Sequence, residues 1–448
     1  MNRASSIWKK FTPYQLIVLG YLLITVIGAF LLSLPISSAK GVYQSFLDAL
    51  FLATSGISTT GLTVVDVGSY YSLFGQIVLM GIFQIGGIGY MTFIVFMMYL
   101  LGVKTSIKTS IVAKESLAGA NAELFKKFFR AVLLYTFIFE FSGAVILALF
   151  WMKEYSVKYS IYLGIFHSIS AFCTAGFSVF PGSLMKYQHS TLVNITIIVV
   201  SLAGGIGFFV LKDLNIYVIK KFKRQYPCRL TLHTKIVLIV TFIVILVGAM
   251  VIFLSETWPK AMSNYGKMLT SLFQAVSAST TDGFNTIDIG KMSAVSLTTI
   301  MFLMFVGASP GSTGGGIKTT TLAIVLIFLY SELRERRSNV FKREISDRCI
   351  RDAIVVFSCF MLAAFSAITI LTITEKASYI QILFETYSAL GNTGLSAGIT
   401  SNLSKIGRLV LIITMFIGRV GPLVIAYAIL SNTKQLDFRY PKEDVFVG

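Results

Sequence analysis

Charge is what this sequence has least of. Only 13% of its 448 residues are Asp, Glu, Lys or Arg, about half the share of a soluble protein. With 55% hydrophobic residues and a mean hydropathy of +0.79, that shortage excludes a soluble enzyme, a secreted disulfide scaffold and a disordered regulator. Cysteine is scarce too. Cys173, Cys228, Cys349 and Cys359 show no C-x-x-C or Cys/His spacing, so neither a metal cage nor a disulfide framework is indicated. Three histidines, His167, His189 and His233, leave little material for metal or triad chemistry. No converging acid, base and nucleophile set stands out, which argues against an intramembrane enzyme.

Long apolar stretches are abundant. They run at about 14–34, 73–101, 131–151, 191–211, 235–255, 295–330, 353–373 and 405–430, each near the roughly 20 residues that cross the hydrocarbon as a helix. Shorter apolar segments near 43–57, 161–173, 266–279 and 378–391 suit re-entrant or buried helices. Eight spans are expected. The apolar run after the basic N-terminus is long enough to stay in the membrane, with no clean cleavage site, so no signal peptide is expected.

The net charge of +18 follows from where the cations lie. Of 38 Lys and Arg, 26 fall in alternate connecting segments together with both termini, and 10 fall on the opposite side. Lys318 and Arg419 sit within spans. This asymmetry predicts cytoplasmic termini. It also assigns the basic charge to topology and lipid headgroups rather than to nucleic acid.

The chain repeats itself. Phe51–Thr63, Phe166–Ser178, Phe273–Asn285 and Phe384–Ser396 align without gaps as F-x3-S-[AG]-x4-G-[LF]-[TSN]. The glycines Gly61, Gly176, Gly283 and Gly394 are 115, 107 and 111 residues apart. Each copy follows one span and precedes another, which divides the chain into 1–102, 103–212, 213–331 and 332–432, with a tail at 433–448. Because each unit holds two crossings, the four share one orientation and are parallel repeats. Non-helical backbone at membrane depth must be buried or line a water-filled path. Four such loops around an axis could present glycine-permitted backbone carbonyls to a dehydrated alkali cation. The candidate filter residues are Thr59, Thr60 and Gly61; Thr174, Ala175 and Gly176; Thr281, Asp282 and Gly283; Asn392, Thr393 and Gly394. The short preceding helices would aim their negative C-terminal ends at that point.

These loops and the fourfold repetition resemble the Trk/Ktr/HKT superfamily of potassium transporters, most of all the membrane subunit of bacterial Ktr systems. The resemblance covers the whole chain, including GASPGSTGGGIKTTT at 307–321, MFIGRVGPL around Arg419 and the final DVFVG. It implies an all-α membrane protein with four span–pore-helix–span repeats around a pseudo-fourfold pore. It also implies potassium uptake across a bacterial cell membrane, a glycine filter, a homodimer and a gating ring of cytosolic nucleotide-binding subunits. No cofactor is expected in this chain.

The cluster Gly311, Ser312, Thr313, Gly314, Gly315 and Gly316 should unwind the second span of the third repeat, since each helical glycine costs about 1 kcal/mol. It is read as a gate below the filter. It nearly matches a phosphate-binding G-x4-G-K-[ST] loop, but Ile317 displaces the lysine and no strand precedes it. Arg419, within the last span, should face water, carbonyls or a carboxylate such as Glu140, and is assigned with Lys318 to the gate. The G-G-I-G runs at 86–89 and 204–207 read as close helix packing.

Asp282 departs from the neutral residues that the other copies carry. Its carboxylate would either strengthen cation attraction and weaken discrimination against sodium, or turn behind the loop and hydrogen-bond there. A sodium-preferring or weakly selective cation route is therefore the first alternative, and sodium linkage stays open. A rocking transporter of an organic solute is the second, disfavoured by parallel repeats. The basic stretches Lys220–Arg224 and Arg334–Arg343 are candidate docking surfaces for a cytosolic partner.

Overall fold

The computed structural model describes residues 13–100 and 122–430. The basic N-terminus, most of the 104–130 segment and the tail with DVFVG lie outside the described residues.

Four times along the chain, a helix leads into a shorter buried helix and then into a third. The first set is α1 (Pro13–Ser33), α2 (Phe46–Ile57) and α3 (Leu73–Leu100). The second is α4 (Ala122–Trp151), α5 (Val157–Phe172), α6 (Thr191–Ile206) and α7 (Phe208–Phe222). The third is α8 (Leu232–Ser255), α9 (Asn264–Ser279), α10 (Ala294–Phe305) and α11 (Thr319–Glu332). The last is α12 (Asp347–Thr374), α13 (Tyr379–Gly391), α14 (Lys405–Val420) and α15 (Pro422–Leu430).

The short helices start at serines. Ser263 accepts from Gly266 N–H at the head of α9, and Ser378 forms a reciprocal capping box with Gln381 at the head of α13, satisfying donors that the first turn leaves free.

The apolar pattern is partly inverted, as a lipid-facing protein requires. Leu23, Phe30, Phe137, Phe242 and Phe365 are exposed, whereas Ser55, Thr60, Ser170, Thr281 and Thr393 are buried. Among the described residues, Phe129–Trp151, Leu232–Ser255 and Asp347–Thr374 are each long and apolar enough to cross a membrane. The pair α6 and α7 qualifies together but is bent by 100°.

The sequence suggests one broken helix, and the structure has more. Gly89 (φ 91°), Gly207 (φ 98°) and Gly421 (φ 88°) all leave helical geometry, in addition to the loop that separates α10 from α11. A second departure from an all-helical reading is a small antiparallel hairpin, β1 (Asn339–Val340) and β2 (Arg343–Glu344). It overlaps the end of the Arg334–Arg343 stretch, and Phe341 and Lys342 turn it with φ of 50° and 61°.

Contacts between the last set and the first bring distant parts of the chain together. Arg408 in α14 pairs with Asp48 in α2, and Gln15 Nε2 donates to Ala428 O at 3.1 Å.

Candidate functional site

Each short helix ends in the same backbone turn, closed on the main-chain carbonyl of the repeated serine. Thr60 N donates to Ser55 O at 2.7 Å, Ala175 N to Ser170 O at 2.8 Å, Asp282 N to Ser277 O at 2.8 Å and Thr393 N to Ser388 O at 2.9 Å. Inside each turn one residue takes a left-handed conformation: Thr59 (φ 54°), Thr174 (51°), Thr281 (59°) and Asn392 (54°). The closure satisfies carbonyls that a helix end leaves open. In the last three loops the serine hydroxyl then catches the chain as it leaves. Ser170 Oγ donates to Phe177 O at 2.9 Å and Ser277 Oγ to Phe284 O at 2.6 Å, while Gly394 N donates to Ser388 Oγ at 3.0 Å. The motif phenylalanines Phe51, Phe166, Phe273 and Phe384 are all fully buried and anchor the helices from within.

The four loops meet in cyclic order. A Cβ on Gly61 would collide with Ala175 O, one on Gly176 with Asp282 O, one on Gly283 with Thr393 O, and one on Gly394 with Thr60 O. Each glycine therefore lies against the carbonyl of the residue before the next glycine, and the fourth returns to the first. All four glycines have positive φ, between 64° and 91°. Both close approach and backbone angle thus exclude a side chain there. The four helix C-termini converge on the same place, adding partial negative charge.

The side chains at the second filter position differ. Asp282 points away from the ring: its Oδ2 lies 2.6 Å from Ser201 Oγ on α6, and it is buried. Of the two readings open for Asp282, the geometry is that of a carboxyl behind its loop. Asn392 Nδ2 donates to Thr60 Oγ1 at 3.0 Å and to Met415 O at 2.9 Å, joining the first and last loops.

The glycine cluster forms a non-helical segment directly against these loops. Thr59 Oγ1 donates to Thr313 O at 3.2 Å, Thr174 Oγ1 to Thr313 Oγ1 at 3.2 Å, and Gly315 N to Thr281 Oγ1 at 3.1 Å. A Cβ on Gly315 would overlap the Asn392 side chain. All four left-handed filter residues therefore touch Thr313 or Gly315. Other bonds fix the segment from the sides: Thr313 N donates to Gly204 O at 3.2 Å, Phe208 N to Gly311 O at 2.9 Å, and Ile317 N to Phe305 O at 3.2 Å.

Two cations hold the segment. Lys318 Nζ donates to Gly314 O at 2.8 Å and Gly315 O at 3.3 Å. Arg419 donates to Thr313 O through one nitrogen and to Gly86 O through the other. Its predicted neighbour Glu140 is engaged elsewhere, accepting from Gln84 Nε2 at 2.9 and 3.1 Å. Among the described residues the buried Ser312 hydroxyl has no hydrogen-bond partner, and Gly316 packs with φ 70° against Gly307.

One other reading fits the contacts. Gly86 and Gly204 lie against Ile57 O and Phe172 O, leaving no room for a Cβ, so the G-G-I-G runs do pack closely. His167 is buried, with Nδ1 2.9 Å from Leu163 O and Nε2 3.0 Å from Ser178 Oγ. Sequence reasoning missed Gln84, Ser201 and the bend at Gly207. The only local signal was the glycine pair preceding that bend.

The profile of the TrkH family, described as a cation transport protein, matches residues 9–436. The chain belongs to the TrkH family. Its relatives include the Ktr system potassium uptake protein B of Bacillus subtilis, 38% identical, with 98% of each chain covered. Another is the potassium/sodium uptake protein NtpJ of Enterococcus hirae, 33% identical, again with 98% of each covered. The fold is similar to a crystal structure of the potassium transporter TrkH from Vibrio parahaemolyticus, with a TM-score of 0.72 and 21% identity. That match covers 94% of this chain and 84% of the other. This TrkH-family member is a multi-pass membrane cation transporter.

Proposed function

We propose that this chain takes up potassium ions across the cell membrane through the four glycine loops. Residues 59–61, 174–176, 281–283 and 392–394 line the filter, with their carbonyls replacing the ion's hydration shell. The observation that carries this reading is the closed circuit in which each filter glycine abuts the next loop's carbonyl. Four parallel repeats with eight crossings account for that circuit, and both termini then lie in the cytoplasm, in line with the distribution of Lys and Arg. Potassium is favoured by the B. subtilis relative's name and by glycine in all four loops.

The segment 311–316, with Lys318 and Arg419, is the gate. It lies immediately beside the filter, and its contacts to all four left-handed residues support reading this arrangement as closed. Opening requires Lys318 to release Gly314 O and Gly315 O. Because the resemblance is to a Ktr membrane subunit, the working assembly is a homodimer regulated by a cytosolic nucleotide-binding ring, with the hairpin at 339–344 as a docking surface.

Sodium is the second reading, favoured by the E. hirae relative's name; it enters as a coupled or alternative ion. Flux of potassium, rubidium and sodium in proteoliposomes containing the chain tests both. Strong preference for potassium and rubidium is expected. Comparable sodium flux would replace the potassium assignment, and no cation flux even with a nucleotide-binding partner present would overturn the filter reading.

A further inference from the structure

The bend at Gly207 places α7 where the transport reading has no use for it. It runs at 100° to α6. Its middle is tied to the start of α8: Asp213 accepts from Thr231 N at 3.0 Å, Thr231 Oγ1 at 2.9 Å and Thr234 Oγ1 at 2.6 Å. The helix α8 is a 24-residue apolar span, so its first turn marks the level at which the hydrocarbon ends. Asp213 therefore holds α7 at that level, just after the helix has turned 100° from α6.

Its surface is divided accordingly. Ile216, Val218, Ile219 and Phe222 are exposed, Phe222 at 86%, followed by Tyr226 at 84%. At 100° per residue these four helical positions fall on one side of α7. Lys220, Lys221, Lys223 and Arg224 accompany them and are exposed; Lys221 Nζ lies 6.0 Å from the Tyr217 ring centre, away from the apolar side. The chain after Arg224 folds back, with Cys228 Sγ donating to Tyr217 O at 3.3 Å. Exposed apolar side chains and cations together on a helix that turns 100° from the preceding span have the chemistry of an interfacial helix.

We propose that the last two turns of α7, with residues 223–226, form an anchor in the membrane interface that binds anionic phospholipid headgroups. The apolar side chains enter the acyl boundary, and Lys220, Lys221, Lys223 and Arg224 meet the phosphates. The charge complementarity selects an anionic lipid over a zwitterionic one. The inference rests on the chain being a membrane protein and not on which ion it carries, so a failed potassium assignment would leave it standing.

The test uses the full chain with Cys228, Cys349 and Cys359 replaced by serine, reconstituted in phosphatidylcholine vesicles containing phosphatidylglycerol. Spin labels are placed singly at Ile219→Cys, Phe222→Cys and Lys221→Cys. Labels at 219 and 222 should collide with oxygen and be shielded from an aqueous nickel chelate, whereas the label at 221 should show the opposite order. Separately, the fraction of spin-labelled phosphatidylglycerol immobilised by the protein should fall several-fold in Lys220→Gln/Lys221→Gln/Lys223→Gln/Arg224→Gln. The same variant should leave labelled phosphatidylcholine unchanged.

Nickel access at 219 and 222 equal to that at 221 would show a face open to water and available to a soluble partner, overturning the anchor. Shielding from both reagents would show a protein cover, such as a second copy, and would overturn it equally. Unchanged immobilisation of phosphatidylglycerol in the quadruple variant would remove the headgroup assignment.

Discussion

Asp282 and Ser201 lie 2.6 Å apart behind the third filter loop, linking a filter residue to the helix of the preceding repeat. A carboxyl next to a filter glycine thus contributes its backbone carbonyl to the ring while its side chain braces the loop. The same Ser201 Oγ lies 2.8 Å from Ile197 O, so its one hydroxyl hydrogen has two acceptors within reach. The relation predicts that shape and hydrogen bonding at position 282 matter more than its charge.

Asp282→Asn keeps a side chain able to meet Ser201, so the potassium-to-sodium flux ratio in proteoliposomes should stay close to the parent's. Asp282→Leu cannot make the bond and should loosen the loop, lowering potassium flux and discrimination together. A large gain in discrimination from Asp282→Asn alone would show that the carboxylate acts through its field on the ion.

Substituting a filter glycine should be far more damaging. A Cβ on Gly283 would strike Thr393 O, and φ of 88° is strained for any L side chain. Overpacking of this kind costs about 1–3 kcal/mol, and about 1.4 kcal/mol is tenfold in an equilibrium or rate. Gly283→Ala should therefore reduce potassium flux roughly tenfold or more. Gly81→Ala is the control, because nothing lies within 4 Å of its Cβ position; it should leave flux intact.

The four glycine loops were the most legible part of the chain, because their geometry is local. Phe, Ser and Gly recur at fixed offsets, and each recurrence corresponds to a short-range contact: a buried ring, a closure from residue 55 to 60 or 170 to 175, and a left-handed turn. The glycine cluster at 311–316 was legible for the same reason. Arg419 was recognisable as a constrained charge but not by its partners, since Thr313 O and Gly86 O come from segments 106 and 333 residues away. The bends at Gly89, Gly207 and Gly421 were illegible. A glycine in an apolar run serves equally well for close packing or for a break, and only the neighbouring loop decides between them.

Glu140 illustrates a contact of that long-range kind and gives a stability prediction. It accepts from Gln84 Nε2 at 2.9 Å, and Cys173 Sγ lies 3.2 Å from Gln84 Oε1 just ahead of the second filter loop. Glu140→Leu leaves the Gln84 amide without its acceptor, an unsatisfied donor that costs about 1–3 kcal/mol. The purified variant should melt at a lower temperature than the parent. Glu140→Gln supplies a carbonyl oxygen at the same reach and should recover most of the loss.

Lys318 gives the most direct test of the gate. Its ammonium bonds to Gly314 O and Gly315 O, the two carbonyls adjoining the residues that meet the filter. Charge-assisted hydrogen bonds are worth about 1.5–3 kcal/mol, and removing them destabilises the closed arrangement more than one in which the segment has moved aside. Lys318→Met retains the length of the stem while deleting the donors. Potassium flux in proteoliposomes without any cytosolic partner should rise about tenfold, the change that roughly 1.4 kcal/mol produces. A folded variant with unchanged flux would mean that Lys318 does not latch the segment, and a folded variant with lower flux would assign the lysine to the open state instead.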